Sequence, residues 1–290
     1  MNKRDLLPDE FEYKKYLEDN KLSQLLGIKA PEKPNEKLIL PTVFSVDPEN
    51  KLPFPAEFDD LCRLHYIARN RKVLTILEFG VGKSTVILGD AIRLNRKDYY
   101  DLTKENIRRK EQYQVFSIDN YQNWINTCLQ TIPEELINEG FNIIRYSDLE
   151  MGQFKDRICT YYSSLPNICP DLIYLDGPDQ FSPKGEIRGL STRHQDRMPM
   201  AADILSIEHF LQPGTLIVVD GRTANARFLI SNFDRNWSYL YVPEWDQHFF
   251  ELQESPLGIY NKRMIDHCLG DDFYKRLKGS YCIKKENKSE

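Results

Sequence analysis

The residues of this chain best suited to chemistry are acids that recur where apolar, β-branched runs stop. Glu78 follows the run at 73–77, Asp119 closes 114–119, Ser147 and Asp148 follow 141–145, Asp176 closes 171–176 and Asp220 closes 215–220. Runs without alternating polarity are what strands buried on both faces of a parallel sheet look like. Ligands of open α/β sheets sit at the carboxyl ends of such strands, where an acid can hold two ribose hydroxyls or take a proton. Gly80 and Gly82 separate the first run from Ser84 and Thr85, which open a helix. Strand, glycine turn and helix N-terminus together make a ligand site, because glycine lets backbone approach closely and the first helical turn presents unpaired N–H groups.

Spacing narrows what this turn can hold. A phosphate-binding Walker A loop needs a glycine five residues before Gly82-Lys83-Ser84, and Leu77 stands there instead. A dinucleotide fingerprint needs a third glycine where Thr85 stands. Further along, a long polar stretch between Phe181 and Pro199 carries Lys184, Arg188, Arg193, His194 and Arg197. Such loops over the carboxyl edge of a sheet make substrate contacts. His194 is a candidate general base for an alcohol, and Arg188, Arg193, Arg197 and Arg222 are candidates to bind a carboxylate or phosphate bidentately. Each position also has a plainer reading. Asp119 suits a helix N-cap, residues 176–178 and 220–222 suit tight turns, the glycines suit close packing, and loop histidine and arginine suit solvent.

Composition sets the frame for these residues. At 290 residues the chain has room for one large α/β domain with decoration or two small ones. Apolar residues at 41% and aromatics at 12% describe a globular protein. A net charge of −5 argues against general attraction to nucleic acid. Cys62, Cys128, Cys159, Cys169, Cys268 and Cys282 show no C-x-x-C pair and no ligand-like spacing with histidine, so they are expected to be reduced thiols. No apolar run approaches the roughly 18 residues that span a bilayer, and Met1-Asn2-Lys3-Arg4-Asp5 does not open a signal peptide, so a cytoplasmic location is expected.

Residues 1–30 place Phe11, Tyr13, Tyr16, Leu17, Leu22, Leu25 and Leu26 at roughly helical spacing, which predicts an amphipathic arm packed on the domain or on a second subunit in a homodimer. Prolines 31, 34, 41, 48, 53 and 55 make the next segment an extended linker, with strand-like runs at 38–40 and 43–46. Helices are expected over 56–69, 84–94, 120–137 with a break near Pro133, 200–211, 224–233 and 261–269. The polar segment 95–112 reads as a solvated insertion, and 237–242 with 248–252 as an antiparallel hairpin. The charged residues 284–290 are expected to fray.

The run Glu78-x-Gly80-x-Gly82-x-Ser84, followed by acids at later strand ends, resembles the class I S-adenosylmethionine-dependent methyltransferases from about residue 56 to 254. The resemblance implies a Rossmann-like, doubly wound α/β sheet, mostly parallel with an antiparallel C-terminal hairpin. The methyltransferase-like domain is placed over 56–256, and the N-terminal arm and proline-rich linker over 1–55 and the C-terminal helix and charged tail over 257–290 lie outside the resemblance. S-adenosylmethionine is the implied cofactor, held by Glu78, Gly80, Gly82, Ser84, Thr85 and Asp119, with Ser147 and Asp148 meeting adenine and Asp176 closing the fourth strand. O-methylation of a small polar or anionic acceptor, such as a sugar or sugar nucleotide, is the implied reaction, with His194, Asp176 and Asp220 as its catalytic candidates. Catechol-type O-methyltransferases bind a divalent ion at two such acids and a following asparagine; here Gly221-Arg222 follows Asp220, so a divalent metal at Asp176 and Asp220 stays open as the less favoured alternative. Two other readings stay open: a methyltransferase-like domain that binds a nucleotide or partner without catalysis, and a nicotinamide-dependent enzyme acting on a sugar.

Overall fold

Strands that are apolar on both faces must be covered on both, and that requirement organises the whole chain. The computed structural model describes residues 1–29 and 57–286. Its strands are β1 (Thr75–Phe79), β2 (Gln114–Asp119), β3 (Asn142–Tyr146), β4 (Leu149–Phe154), β5 (Arg157–Tyr162), β6 (Leu172–Leu175), β7 (Leu216–Asp220), β8 (Trp237–Val242) and β9 (Gln247–Leu252). Seven of them form one sheet in the order β3-β2-β1-β6-β7-β9-β8. The first five in that order are parallel, and β9 runs antiparallel to both β7 and β8. This is the expected doubly wound sheet with its terminal hairpin.

Alternate residues of each strand feed two cores. Ile76, Val115, Leu172, Leu216, Val218 and Phe249 face one layer with Leu64, Ile67, Leu88 and Ala91. Leu77, Ile118, Ile173, Ile217, Val219 and Phe250 face the other with Ile204, Leu205, Ala226 and Leu229. Each such fully buried side chain contributes roughly 1.5–3 kcal/mol. The covering helices are α1 (Tyr13–Asp19), α2 (Leu22–Leu25), α3 (Phe58–Asn70), α4 (Lys83–Thr103), α5 (Gln122–Thr131), α6 (Glu134–Asn138), α7 (Asp203–Ile207), α8 (Thr223–Ile230), α9 (Ile259–Cys268) and α10 (Gly270–Glu286). Leu17 and Leu22 of the arm pack against Phe58, Leu61, Cys62 and Ile87 of α3 and α4.

Several expectations need correction. The polar segment after residue 94 is not an insertion: α4 continues to Thr103. Its Asn95 is fully buried and donates to the carbonyls of Ala68 and Val73, while Thr103 meets the Tyr113 hydroxyl. Lysine and arginine are good helix formers on a solvent face, so charge density concealed a helix with a polar seam. The hairpin of β4 and β5 was not foreseen. Its turn uses Lys155 and Asp156 at φ 48° and 63°, a geometry that Asn-Gly usually announces. The helix expected over 200–211 is shortened because Ala201 bridges to Thr160 of β5 before α7 begins. α10 was not foreseen either, and it carries helical backbone through Glu286 where fraying was expected. The proline-rich linker and its two strand-like runs lie outside the described residues. Among the described residues no helix is long and apolar enough to cross a membrane.

Candidate active site

The carboxyl ends of β1, β2, β6 and β7 meet where two turns are pressed together. Gly80 has φ +102°, and a Cβ there would lie 2.9 Å from the Gly177 nitrogen. Both Asp176 and Gly177 donate their N–H groups to the Phe79 carbonyl, at 3.0 and 2.5 Å. Gly80 is thus demanded by backbone geometry. Gly82 is different: its backbone is extended at φ −175°, and nothing lies within 4 Å of where its Cβ would be. The side of Gly82 where a Cβ would stand is open among the described residues.

Glu78 does not reach the rim. It lies inside β1, fully buried, and accepts hydrogen bonds from the hydroxyls of Ser84 at 2.6 Å, Thr85 at 2.7 Å and Ser117 at 2.6 Å. Ser84 and Thr85 therefore serve the knot that fastens the start of α4 to β1 and β2. Burial raises the Glu78 carboxyl to about 7, against the opposing pull of the three hydroxyls. A folded-state value above the ordinary 4.5 means that folding binds a proton. The resulting stability is full below about pH 4.5 and lost as pH rises through 7. Denaturant unfolding at pH 5 and pH 8 should show wild type losing stability, with Glu78→Gln removing about 3 kcal/mol of that loss. Identical pH slopes would locate the titration elsewhere.

Asp119 sits at the end of β2, nearly buried, accepting from the N–H groups of Val81 at 2.9 Å and Tyr121 at 2.8 Å. One carboxylate thereby ties the glycine turn to the second strand end. Burial raises it to about 6. Ser147 is close behind, donating its backbone N–H to the Asp119 carbonyl and bonding Ser164 through its hydroxyl. Asp148 turns away to meet Lys184 and the Tyr146 hydroxyl, both at 2.7 Å, so it braces the β4–β5 hairpin to the polar loop.

Asp176 follows β6 and Asp220 ends β7 at the same rim. The Asp176 side chain is exposed, and the protein around it raises its carboxyl while Arg222 opposes the rise. Asp220 accepts from the Tyr174 hydroxyl at 2.5 Å and Gln247 Nε2 at 3.2 Å. Burial and the neighbouring Asp176 push it up to about 7. Gln247 is held in turn by Arg63 Nε at 3.3 Å, and Arg63 is almost fully buried beneath the arm. Tyr174, Gln247 and Arg63 carry no local sequence signal that would have placed them here. Two like charges beside each other hold a proton near neutrality, which suits acid–base work.

The remaining candidates are dispersed. Arg193 spends its guanidinium on the carbonyls of Pro183 and Gly185 and on Glu186, and Arg197 donates to the Ser191 carbonyl at 2.5 Å. These two brace their own loop, and Arg188 is exposed. His194 is exposed as well, its Nδ1 accepting from the Asp196 N–H at 3.1 Å. The expected convergence of four arginines is therefore not what the loop does: of the four, Arg222 has its charge set against the rim acids, with Nε donating to the Asp176 carbonyl at 2.7 Å. Two cavities, the larger about 450 Å³ beside Lys104, Arg108 and Gln212, lie away from these acids.

No family model matches the chain, and no curated protein matches it either. Among solved structures it is similar to an SAH-bound methyltransferase of Podospora anserina, at 12% identity and TM-score 0.41, covering 69% of this chain and 80% of that one. It is similar to the O-methyltransferase TomG of Streptomyces achromogenes in complex with SAM, at 15% identity and TM-score 0.37 over 86% of this chain and 92% of that one. An O-methyltransferase from Bacillus cereus in complex with SAH gives 13% identity and TM-score 0.38, with coverages of 85% and 93%.

Proposed function

We propose that residues 56–256 form an S-adenosylmethionine-dependent methyltransferase acting on the oxygen of a small polar or anionic acceptor, such as a sugar or sugar nucleotide. The observation that carries this reading is the gathering of Asp119, Asp176 and Asp220 at the ends of β2, β6 and β7, on either side of the glycine turn after β1, whose Gly82 side is open among the described residues. Bound there, the cofactor supplies a methyl group on a sulfonium.

The protein's part is to hold and to deprotonate. Asp119 retains lone pairs beyond its two backbone bonds and offers them to ribose hydroxyls, while the start of α4 and the Gly80–Gly82 backbone border the methionine end. Ser147 lies on the β3 side of Asp119, the side left for adenine. Asp176, exposed at the rim, takes the acceptor proton, and its negative charge helps hold a proton on the buried Asp220 beside it. Alignment of donor and acceptor near attack distance contributes the rest.

Calorimetric titration with S-adenosylhomocysteine tests this reading; no heat and no thermal shift at millimolar ligand would sink it. The two glycines sharpen the test. Gly82→Ala should fold with unchanged thermal stability and bind S-adenosylhomocysteine about tenfold or more weakly, because a methyl enters the ligand's space. Gly80→Ala should instead lose roughly 1–3 kcal/mol of folding stability, since its φ is adverse and the Gly177 backbone is in the way. Equal effects at both positions would mean that the open side of Gly82 faces no ligand.

A further inference from the structure

Two hydrogen-bond donors at the rim are buried without a partner among the described residues. They are the Tyr162 hydroxyl, on a residue only 5% exposed, and Nη1 of Arg222. Tyr162 ends β5, its ring stacked on Phe79 at 5.8 Å and 23° and its N–H donating to the Asp203 carboxylate at 3.0 Å. The ring is therefore locked, and its hydroxyl cannot swing away to find water. Arg222 is fixed by the bond from Nε to the Asp176 carbonyl, which sets the plane of its guanidinium. Tyr162 feels the charges of Asp119 and Asp203 ahead of those of Arg222 and Asp176, and Arg222 feels Asp176 ahead of Tyr162. A buried donor left unpaired is costly, so native proteins keep such groups where a ligand completes them.

We propose that Tyr162 Oη and Arg222 Nη1 together bind an anionic oxygen, of a carboxylate or phosphate, carried by the methyl acceptor. This rests on the methyltransferase reading above and gives it a substrate class: a hydroxyl compound that also bears an acid group. The position of Arg222 favours the acceptor over the cofactor. Arg222 leaves the end of β7 beside Asp176 and Asp220, whereas the ribose and adenine positions lie toward β2 and β3 on the other side of β1. A guanidinium and a phenol hydroxyl also form a charge-assisted pair for an oxyanion, and they hold the neighbouring hydroxyl of such an acceptor against Asp176. Tyr162 lies outside the sequence stretches that suggested chemistry.

The test uses the full chain saturated with S-adenosylhomocysteine, titrated with benzoate and with inorganic phosphate, with neutral benzamide as the control. Wild type should be stabilised by at least one anion and not by benzamide. Tyr162→Phe and Arg222→Gln should bind that anion roughly ten- to a hundredfold more weakly, as expected for a lost bond to a charged group. Tyr162→Phe keeps the stacked ring and should melt no lower than wild type, which separates ligand loss from misfolding. A second arm compares S-adenosylhomocysteine with 5′-methylthioadenosine, which lacks the amino acid part. If Tyr162→Phe weakens only the former, the anchor belongs to the cofactor's carboxylate and the acceptor assignment is overturned. Anion affinities unchanged in both variants, or no anion binding by wild type, would also overturn it. Failure of wild type to bind S-adenosylhomocysteine counts instead against the methyltransferase reading, and the anion titration then reads on the free protein.

Discussion

Asp176→Asn is expected to lower methyl transfer by two to four orders of magnitude, on the order of what a positioned general base contributes, while S-adenosylhomocysteine binds within about threefold of wild type. The amide is nearly the same shape and leaves the Arg222 bond to the residue 176 carbonyl in place, so folding should be preserved. What it cannot do is accept the acceptor's proton. A second consequence separates this from a structural role. Asp220 stands at about 7 because of burial and, next, because of Asp176; removing that negative charge makes Asp220 easier to ionise, so its titration moves to lower pH. Transfer of label from methyl-tritiated S-adenosylmethionine into a small-molecule extract, measured across pH, reads both effects. A decrease below tenfold would remove the pair from the mechanism.

Glu251→Gln should cost about 3–5 kcal/mol of folding stability, the usual penalty for breaking a buried ion pair from one side. Glu251 is fully buried on β9 and accepts from Arg71 Nη1, from Nε and Nη2 of Arg276, and from Gln253, each at 2.9 Å. It thereby joins the end of α3, the sheet and α10. Burial works against its charge, but the two arginines win and hold it at about 2. A carboxyl depressed below its ordinary 4.5 stabilises the fold fully above that value, and the contribution, about 3 kcal/mol, disappears as pH falls toward 2. Denaturant unfolding at pH 7 and pH 3 checks both statements: the variant should be far weaker at pH 7 and closer to wild type at pH 3. With Glu78 losing its contribution at high pH and Glu251 at low pH, the two groups together favour an optimum at mildly acidic pH.

The acids of this chain divide by what surrounds them, and that division was only partly legible beforehand. Asp119, Asp176 and Asp220 could be placed at strand ends because strand periodicity is local: an apolar run followed by an acid announces the element and its terminus, whereas Glu78, read the same way, lies one residue inside β1. The same local signals announced the sheet's parallel strands, the glycine turn and the hairpin of β8 and β9. Charge density misled at α4, where helix propensity and a buried asparagine outweighed it.

Sequence by itself determined the seven strands of the main sheet and therefore which residues stand near the rim. Only the tertiary structure decided which way those residues face, because a side chain at a strand end takes its partners from segments remote in the chain. Arg63 reaches Gln247 across 184 positions and Arg71 reaches Glu251 across 180. Glu78 turns inward because Ser117 of β2 meets it, Asp148 turns outward because Lys184 does, and Arg193 is taken up by its own loop. Tyr162 and Arg222 are brought to one rim only once the hairpin of β4 and β5 folds over the end of β1. Hydrogen-bond donors and charges must be satisfied in three dimensions, and no spacing along the chain reports which distant group satisfies them.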